Sequence, residues 1–235
     1  MDVVILAAGL GSRLKGLTED KPKAMVSVLN KTLIDYALEF IDLSIINRVF
    51  IIGGYKKDIL ENHLKKKNNK KIFFIENKDY SLGSTLTIEK AVSKLEDSFL
   101  LMNVDHIYPR KMFDKIMRSV NDLSLTAMTD SDRTLVDDDM KVELNPDLTI
   151  KKISKILTVF QKGYIGMTFI GKKNLEIYKN ALKTVIQNTE GKANVEAVLD
   201  FLSKDHPIDV LDLSGFGWHE VDNQEDLEKA ETQLR

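Results

Sequence analysis

The chain has no cysteine. Disulfides, thiolate nucleophiles and cysteine metal sites are therefore excluded. Its four histidines are scattered and form no metal-ligand pair at helical spacing. Charge of either sign is not in excess: 34 lysines and arginines stand against 36 aspartates and glutamates, interspersed, for a net charge of −2. That leaves neither a nucleic-acid footprint nor a polybasic membrane anchor. The densest basic run, Lys65-Lys66-Lys67 to Lys70-Lys71, is interrupted by Asn68 and Asn69 and reads as a solvated loop. No apolar run approaches the ~20 residues of a transmembrane helix. The N-terminus enters a strand without a signal-type flank. A soluble, cytoplasmic protein is expected, and 235 residues suffice for a single sizeable α/β domain spanning 1–235.

What is present begins with the first strand. Val3-Val4-Ile5-Leu6 is a short continuous apolar run, the pattern of a parallel strand buried on both faces. It leads into Ala7-Ala8-Gly9-Leu10-Gly11-Ser12-Arg13 and then Lys21-Pro22-Lys23-Ala24-Met25. Small residues let backbone N–H groups approach a bulky anion, and Arg13 and Lys23 add fixed positive charge. The loop is predicted to hold a polyphosphate. Two familiar phosphate loops are excluded. A dinucleotide fingerprint needs glycine at position 14, which is Leu14, and a Walker A loop counted from Gly11 to Gly16 needs lysine at 17, which is Leu17.

The string from Leu6 to Arg13, followed by Lys21 to Met25, instead resembles the signature of the nucleotidyltransferases that make NDP-sugars and CDP-alcohols. The resemblance implies that Leu6, Ala8, Gly9, Gly11 and Ser12 line the NTP site. It also implies that Arg13 and Lys23 are the catalytic cations on the triphosphate and the transferred phosphoryl group.

Strand and helix patterns alternate along most of the chain, which predicts an α/β fold with a Rossmann-like, mostly parallel sheet and helices on both faces. Helices are expected at Thr32–Phe40, Asp58–Leu64, Thr85–Leu95, Lys173–Lys183, Asn194–Leu202 and Gln224–Leu234. Strands are expected at Arg48–Ile52, Lys71–Ile75, Phe99–Met102, Leu123–Met128, Tyr164–Ile170 and Ile208–Leu213. Met140–Leu144 and Leu148–Ile153 read as an antiparallel pair around Asn145-Pro146-Asp147, after an acidic turn at Asp137–Asp139. Residues from about 130 to 220 would build a small β-rich lid on the acceptor side. This matches the nucleotide-diphospho-sugar transferase frame that the resemblance implies.

A triphosphate reaction needs Mg²⁺, which is held by one or two carboxylates plus phosphates and water. Asp105 ends the apolar strand in Leu101-Met102-Asn103-Val104-Asp105, at the carboxyl edge where open α/β sheets bind ligands. Asp222 closes Trp218-His219-Glu220-Val221-Asp222 before the last helix. Each could also be a cap or turn residue. In the family such a pair of aspartates holds the metal.

Tyr80-Ser81-Leu82-Gly83-Ser84-Thr85 opens a helix whose amides could meet an anion or a base edge. In the family this segment reads the nucleobase, which makes Gly83 and Ser84 candidates, with Ser84 as N-cap the structural alternative. The hexose-1-phosphate branch carries Glu-Lys-Pro where this chain has Lys152-Ile153-Ser154-Lys155, so Lys155 is a candidate for the acceptor phosphate and glucose-1-phosphate is disfavoured. Asp105-His106-Ile107-Tyr108 and the ending Trp218–Asp222 are similar to the CTP-using branch. The implied partners are CTP and a small phosphorylated alcohol, inositol-1-phosphate first, then phosphocholine or 2-aminoethylphosphonate. The product would be a CDP-alcohol precursor of phospholipid or cell envelope; some relatives carry a membrane-embedded transferase that consumes it, a step that here would need a separate protein or a further part of the same one. Glu196 could face an acceptor hydroxyl or ammonium; as a lone carboxylate on a helix it is otherwise simply solvated. The rival readings are a silent nucleotide-binding regulatory subunit, which typically loses one of the four charged residues, and a dehydrogenase, which the missing third glycine opposes.

Overall fold

The computed structural model describes residues 1–235. β1 (Asp2–Ala7) is buried throughout, as its unbroken apolar run predicts. Two 3-10 segments, Ser12–Leu17 and Lys23–Met25, carry the loop that follows, and a short hairpin of β2 (Ser27–Val28) and β3 (Lys31–Thr32) leads to α1 (Leu33–Phe40). β4 (Val49–Gly53), α2 (Lys57–Lys66), β5 (Ile72–Glu76), α3 (Ser84–Val92) and β6 (Phe99–Asn103) continue the strand–helix alternation. Then come β7 (His106–Ile107), α4 (Arg110–Ser119), β8 (Leu125–Asp130), β9 (Lys141–Leu144), β10 (Ile150–Ser154) and β11 (Lys162–Ile170). α5 (Leu175–Thr189), α6 (Glu196–Leu202), β12 (Asp209–Asp212), β13 (His219–Glu220) and α7 (Gln224–Gln233) complete the chain.

One nine-stranded sheet runs β10-β9-β11-β6-β1-β4-β5, with β8 on the other edge of β11 and β12 beyond β8. β6, β1, β4 and β5 are mutually parallel, and β11 runs antiparallel to β6. The segment expected as a lid therefore extends the same sheet through β11. Alternate residues of β1 serve opposite faces, as strand geometry requires. Val3 and Ile5 pack with α1 and α4 residues such as Phe40 and Phe113, while Val4 and Leu6 pack with Ile88 of α3 and Tyr178 of α5.

The expected elements are present with ends displaced by a few residues, and α4 stands where no helix was expected. Its buried residues Met112, Phe113 and Ile116 lie on one face of a segment that is otherwise strongly charged, and Pro109 precedes its first turn. That sparse apolar stripe is the signal available in the sequence. β11 carries an irregularity between Tyr164 and Thr168, and Gly166 sits there with φ +74°. A Cβ at Gly166 would lie 3.0 Å from the Asn103 amide and the His106 ring. Only glycine combines that left-handed backbone with so close an approach.

Candidate active site

The carboxyl ends of β1 and β6 open into a cleft, the usual place for ligands in an open α/β sheet. On one side a cavity of 270 Å³ is lined by Leu6, Ala8, Gly9 and Lys23 from the first loop, with Ser84 and Asp105 across from them. On the other side a cavity of 160 Å³ is walled by Arg13, Asp138, Lys155, Tyr164, Glu220 and Asp222. Asn103, Asp105, Asn194 and Glu196 belong to both, so the two cavities are halves of one cleft.

Local structure explains how the charges meet. Gly11 has φ +69°, and a Cβ there would come within 3.0 Å of Lys23 Cβ, so glycine lets the lysine pass beneath the loop. Lys23 is buried, and its ammonium donates to Asp105 Oδ2 at 2.5 Å and to Asp222 Oδ1. β13 pairs antiparallel with β7, Glu220 opposite His106, and the Val221 N–H donates to the Asp105 carbonyl at 2.9 Å. This short ladder carries residue 222 to residue 105 across the length of the chain. Asn223, not Asp222, caps α7: its side chain accepts from the Asp226 N–H, and the Asp226 carboxylate accepts the Asn223 N–H in return. The Asp222 carboxylate is thereby left to face Lys23 and Arg13.

The electrostatics are those of a closed network. Burial works against the charged form of Asp105, but the Lys23 ammonium and the His106 ring outweigh it and hold the carboxyl well below its usual range. Burial likewise opposes the charged form of Lys23, yet Asp105 and Asp222 raise its pKa. His106 Nδ1 lies 2.8 Å from Asp105 Oδ1, and the ring stacks on Trp218 at 5.2 Å and on Tyr108 at 5.6 Å. The Trp218 indole N–H donates to Asp130 at 2.6 Å. Arg13 is half exposed and binds Asp138 as well as Asp222, while Lys155 binds the same Asp138 at 2.5 Å. The hydrogen bond from Lys155, and then that from Arg13, hold Asp138 below the usual carboxylate range.

Asp105 and Asp222 touch one ammonium, so a single cation can reach both. Asp105, His106 and Glu220 also bring ligand atoms within 4.8 Å of one another. Hard carboxylate oxygens without sulfur are the donors that Mg²⁺ takes, and the residues present fit that ion.

Over residues 2–135, more than half of the chain, the sequence matches the family model "Nucleotidyl transferase". The chain belongs to the nucleotidyl transferase family. It is 33% identical over 132 residues to CTP:phosphoglutamine cytidylyltransferase of Campylobacter jejuni, covering 53% of this chain and 51% of that protein. The chain spans about half the length of the curated relatives it matches. Its fold is shared with CTP:phosphocholine cytidylyltransferase from Streptococcus pneumoniae (TM-score 0.81, 24% identity, covering 100% of this chain and 99% of the other). It is shared equally with the inositol-1-phosphate CTP transferase from T. maritima (TM-score 0.79, 19% identity, covering 99% and 95%). None of the helices of this nucleotidyl transferase is long and apolar enough to cross a membrane.

Within this family member, the structure brings Leu6, Ala8, Gly9, Lys23, Asp105, Arg13, Asp222, Lys155, Glu196 and Ser84 to the one cleft. Gly11 and Ser12 are not among the residues that line it, though Gly11 backs Lys23. Gly83 does not line it: a Cβ there would overlap the Ala193 carbonyl, at 1.9 Å. The start of α3 offers no row of free amides either. Gly83 N–H donates to Gly191 O at 2.8 Å and Thr85 N–H to Ala193 O at 3.2 Å, because α3 is docked on the 191–194 segment. The Ser84 hydroxyl does not cap α3 but accepts from the Val195 N–H at 2.9 Å. Glu196, expected to be solvated unless it met a ligand, is drawn into the cleft wall, and burial raises its pKa. Sequence reasoning missed Asp138, Asn103, Asn194 and Glu220. Asp138 lies within the acidic turn that was noted, but nothing local says which of three consecutive aspartates turns toward Arg13.

Proposed function

We propose that this chain transfers CMP from CTP to the phosphate of a small phosphorylated alcohol, with inositol-1-phosphate the favoured acceptor, and releases pyrophosphate. One observation carries the reading: Arg13, Lys23 and Lys155 converge on the same cleft as Asp105 and Asp222. Two reacting phosphates repel each other, and such a cluster of fixed cations and carboxylates answers that difficulty. CTP in the names of the Campylobacter relative and of the two structural neighbours named above supports the cytidine reading.

In this reading Leu6, Ala8 and Gly9 bound the nucleotide, with Gly11 and Ser12 shaping the loop and Gly83 and Ser84 the base side. Arg13 and Lys23 neutralise charge on the triphosphate as the bond to the leaving pyrophosphate breaks. Lys155 holds the acceptor phosphate, whose oxygen attacks the α-phosphorus, and Glu196 faces the rest of the acceptor. Mg²⁺, held by Asp105 and Asp222, would supply the Lewis acidity that screens the two phosphates from each other. No protein nucleophile takes part, so rate enhancement comes from positioning and charge.

The direct test is ³¹P NMR of the chain with CTP, Mg²⁺ and inositol-1-phosphate. A diphosphate-bridged product forming in step with free pyrophosphate is expected. Unchanged CTP across inositol-1-phosphate, phosphocholine, 2-aminoethylphosphonate and glucose-1-phosphate would refute it and return the chain to a nucleotide-binding subunit.

A further inference from the structure

One carboxylate in the cleft has an oxygen with nothing to bond. Glu196 opens α6 in the wall common to both cavities, and its Oε2 is fully covered and without a hydrogen-bond partner. Its neighbours are engaged, Glu220 only through Arg133 at 4.0 Å. Asp105 has Lys23 and His106, Asp222 has Lys23 and Arg13, Asp138 has Arg13 and Lys155, and Asp139 has Arg133 at 2.7 Å. Buried acceptors are almost always paired, and one left unpaired is costly until a donor arrives. Burial has accordingly raised the Glu196 pKa. The Tyr178 hydroxyl is also buried without a partner but makes no hydrogen bond to Glu196, so the carboxylate oxygen is placed to receive an O–H or N–H from a ligand in the cleft.

A quaternary ammonium carries no such hydrogen and is recognised through aromatic faces instead. This cleft has few to give. The Trp218 ring is stacked on His106 at 5.2 Å and 12° and also lies under the Arg133 guanidinium at 4.7 Å. Tyr108 stacks on His106, and its hydroxyl is committed to the Ile165 carbonyl. Tyr178 is buried edge-on against Phe99 and is not among the cavity walls. Tyr164 is the one tyrosine lining the acceptor side.

Resting on the function proposed above, we propose that Glu196 sets acceptor specificity: its Oε2 accepts a hydrogen bond from a hydroxyl or primary ammonium of the acceptor. The substrate class is then phosphorylated polyols or primary amines, not quaternary amines such as phosphocholine. Hydroxyl and ammonium share the donor chemistry, and the carboxylate charge separates them.

The test measures pyrophosphate release with CTP, and calorimetric binding, for inositol-1-phosphate, phosphoethanolamine and phosphocholine on wild type, Glu196→Gln and Glu196→Ala. Phosphocholine should have a kcat/KM at least about tenfold below the better of the other two. Glu196→Ala should raise the KM of that preferred acceptor about tenfold, leave the KM for CTP unchanged and narrow the gap to phosphocholine. Glu196→Gln keeps an acceptor oxygen without the charge, so it should largely preserve a hydroxyl-bearing acceptor and lose an ammonium-bearing one. A preference for phosphocholine, or an acceptor KM that moves in neither variant, would overturn the assignment. If no acceptor releases pyrophosphate, the functional reading fails, and calorimetry still decides the role of Glu196: equal affinity of wild type and Glu196→Ala for all three compounds refutes it.

Discussion

The two halves of the cleft are made differently. The nucleotide half takes Leu6, Ala8, Gly9 and Lys23, four of its thirteen lining residues, from one short stretch, where an apolar strand delivers small residues and a buried lysine to one place. The acceptor half is assembled from side chains far apart in the chain: Arg13, Asp138, Lys155, Glu196, Glu220 and Asp222. Backbone approach is a local property and can be read locally. A pocket of converging side chains depends on long-range pairing, here the β13–β7 ladder and the β8–β9 loop.

The largest effect should come from breaking the junction between the halves. Asp105→Asn and Lys23→Gln should each reduce turnover by roughly 10²–10³-fold, the magnitude seen when one preorganised charge partner is removed. Circular dichroism should show the fold retained in Asp105→Asn, where Lys23 keeps Asp222. Turnover near wild type in either variant would mean that the cluster is structural.

The next pair separates packing from ligand approach. Gly83→Ala drives a Cβ into the Ala193 carbonyl and should destabilise the protein by about 1–3 kcal/mol, as overpacking does. Gly9→Ala meets nothing within 4 Å and should leave thermal stability unchanged while raising the KM for nucleotide. Thermal melts with steady-state kinetics on both variants distinguish them, and a destabilised Gly9→Ala would contradict the account.

A smaller effect tests the acceptor half. Asp138 occupies Arg13 and Lys155, two cations assigned to substrate phosphates. Exposed ion pairs contribute about 0.2–1 kcal/mol, so Asp138→Asn should lower the acceptor KM by about two- to fivefold with little change in kcat. A raised KM would instead make Asp138 a positioning residue for those cations.

The smallest effect lies outside the cleft. Asp35 accepts from Thr32 and contacts His63 and Lys67, tying α1 to α2. Burial opposes its charge, but the hydrogen bonds from Lys67, His63 and Thr32 prevail and hold it at about 2. A carboxyl depressed below its unfolded value of ~3.9 stabilises the fold above that value and loses its contribution as pH falls through the folded one. Asp35→Asn should therefore melt lower than wild type at neutral pH, with the gap closing between pH ~4 and ~2 and catalysis unaffected. A pH-independent gap would contradict the ionic origin.

Much of the frame was legible. Val3–Leu6 predicts the central strand, and Arg13 and Lys23, which stand in one stretch of sequence just after it, do both reach the cleft. α4 escaped because its apolar stripe is narrow and most of its surface is charged. The start of α3 reads in sequence as an open anion site, yet its amides are taken by the 191–194 segment more than a hundred residues later. Glu196 reads as a solvated helical carboxylate until α6 is docked beside β10 and its side chain is closed into the wall. In both cases a local rule was overridden by a long-range contact that no window of sequence contains.

The measurement that tests the central claim most directly is pyrophosphate release with Mg²⁺, crossing CTP, dTTP, UTP, ATP and GTP with inositol-1-phosphate, phosphoethanolamine, phosphocholine, 2-aminoethylphosphonate and glucose-1-phosphate. Release that requires CTP together with a phosphorylated alcohol, and that disappears in Asp105→Asn, is the predicted result. Release with glucose-1-phosphate alone, or with none of the pairs, would contradict it.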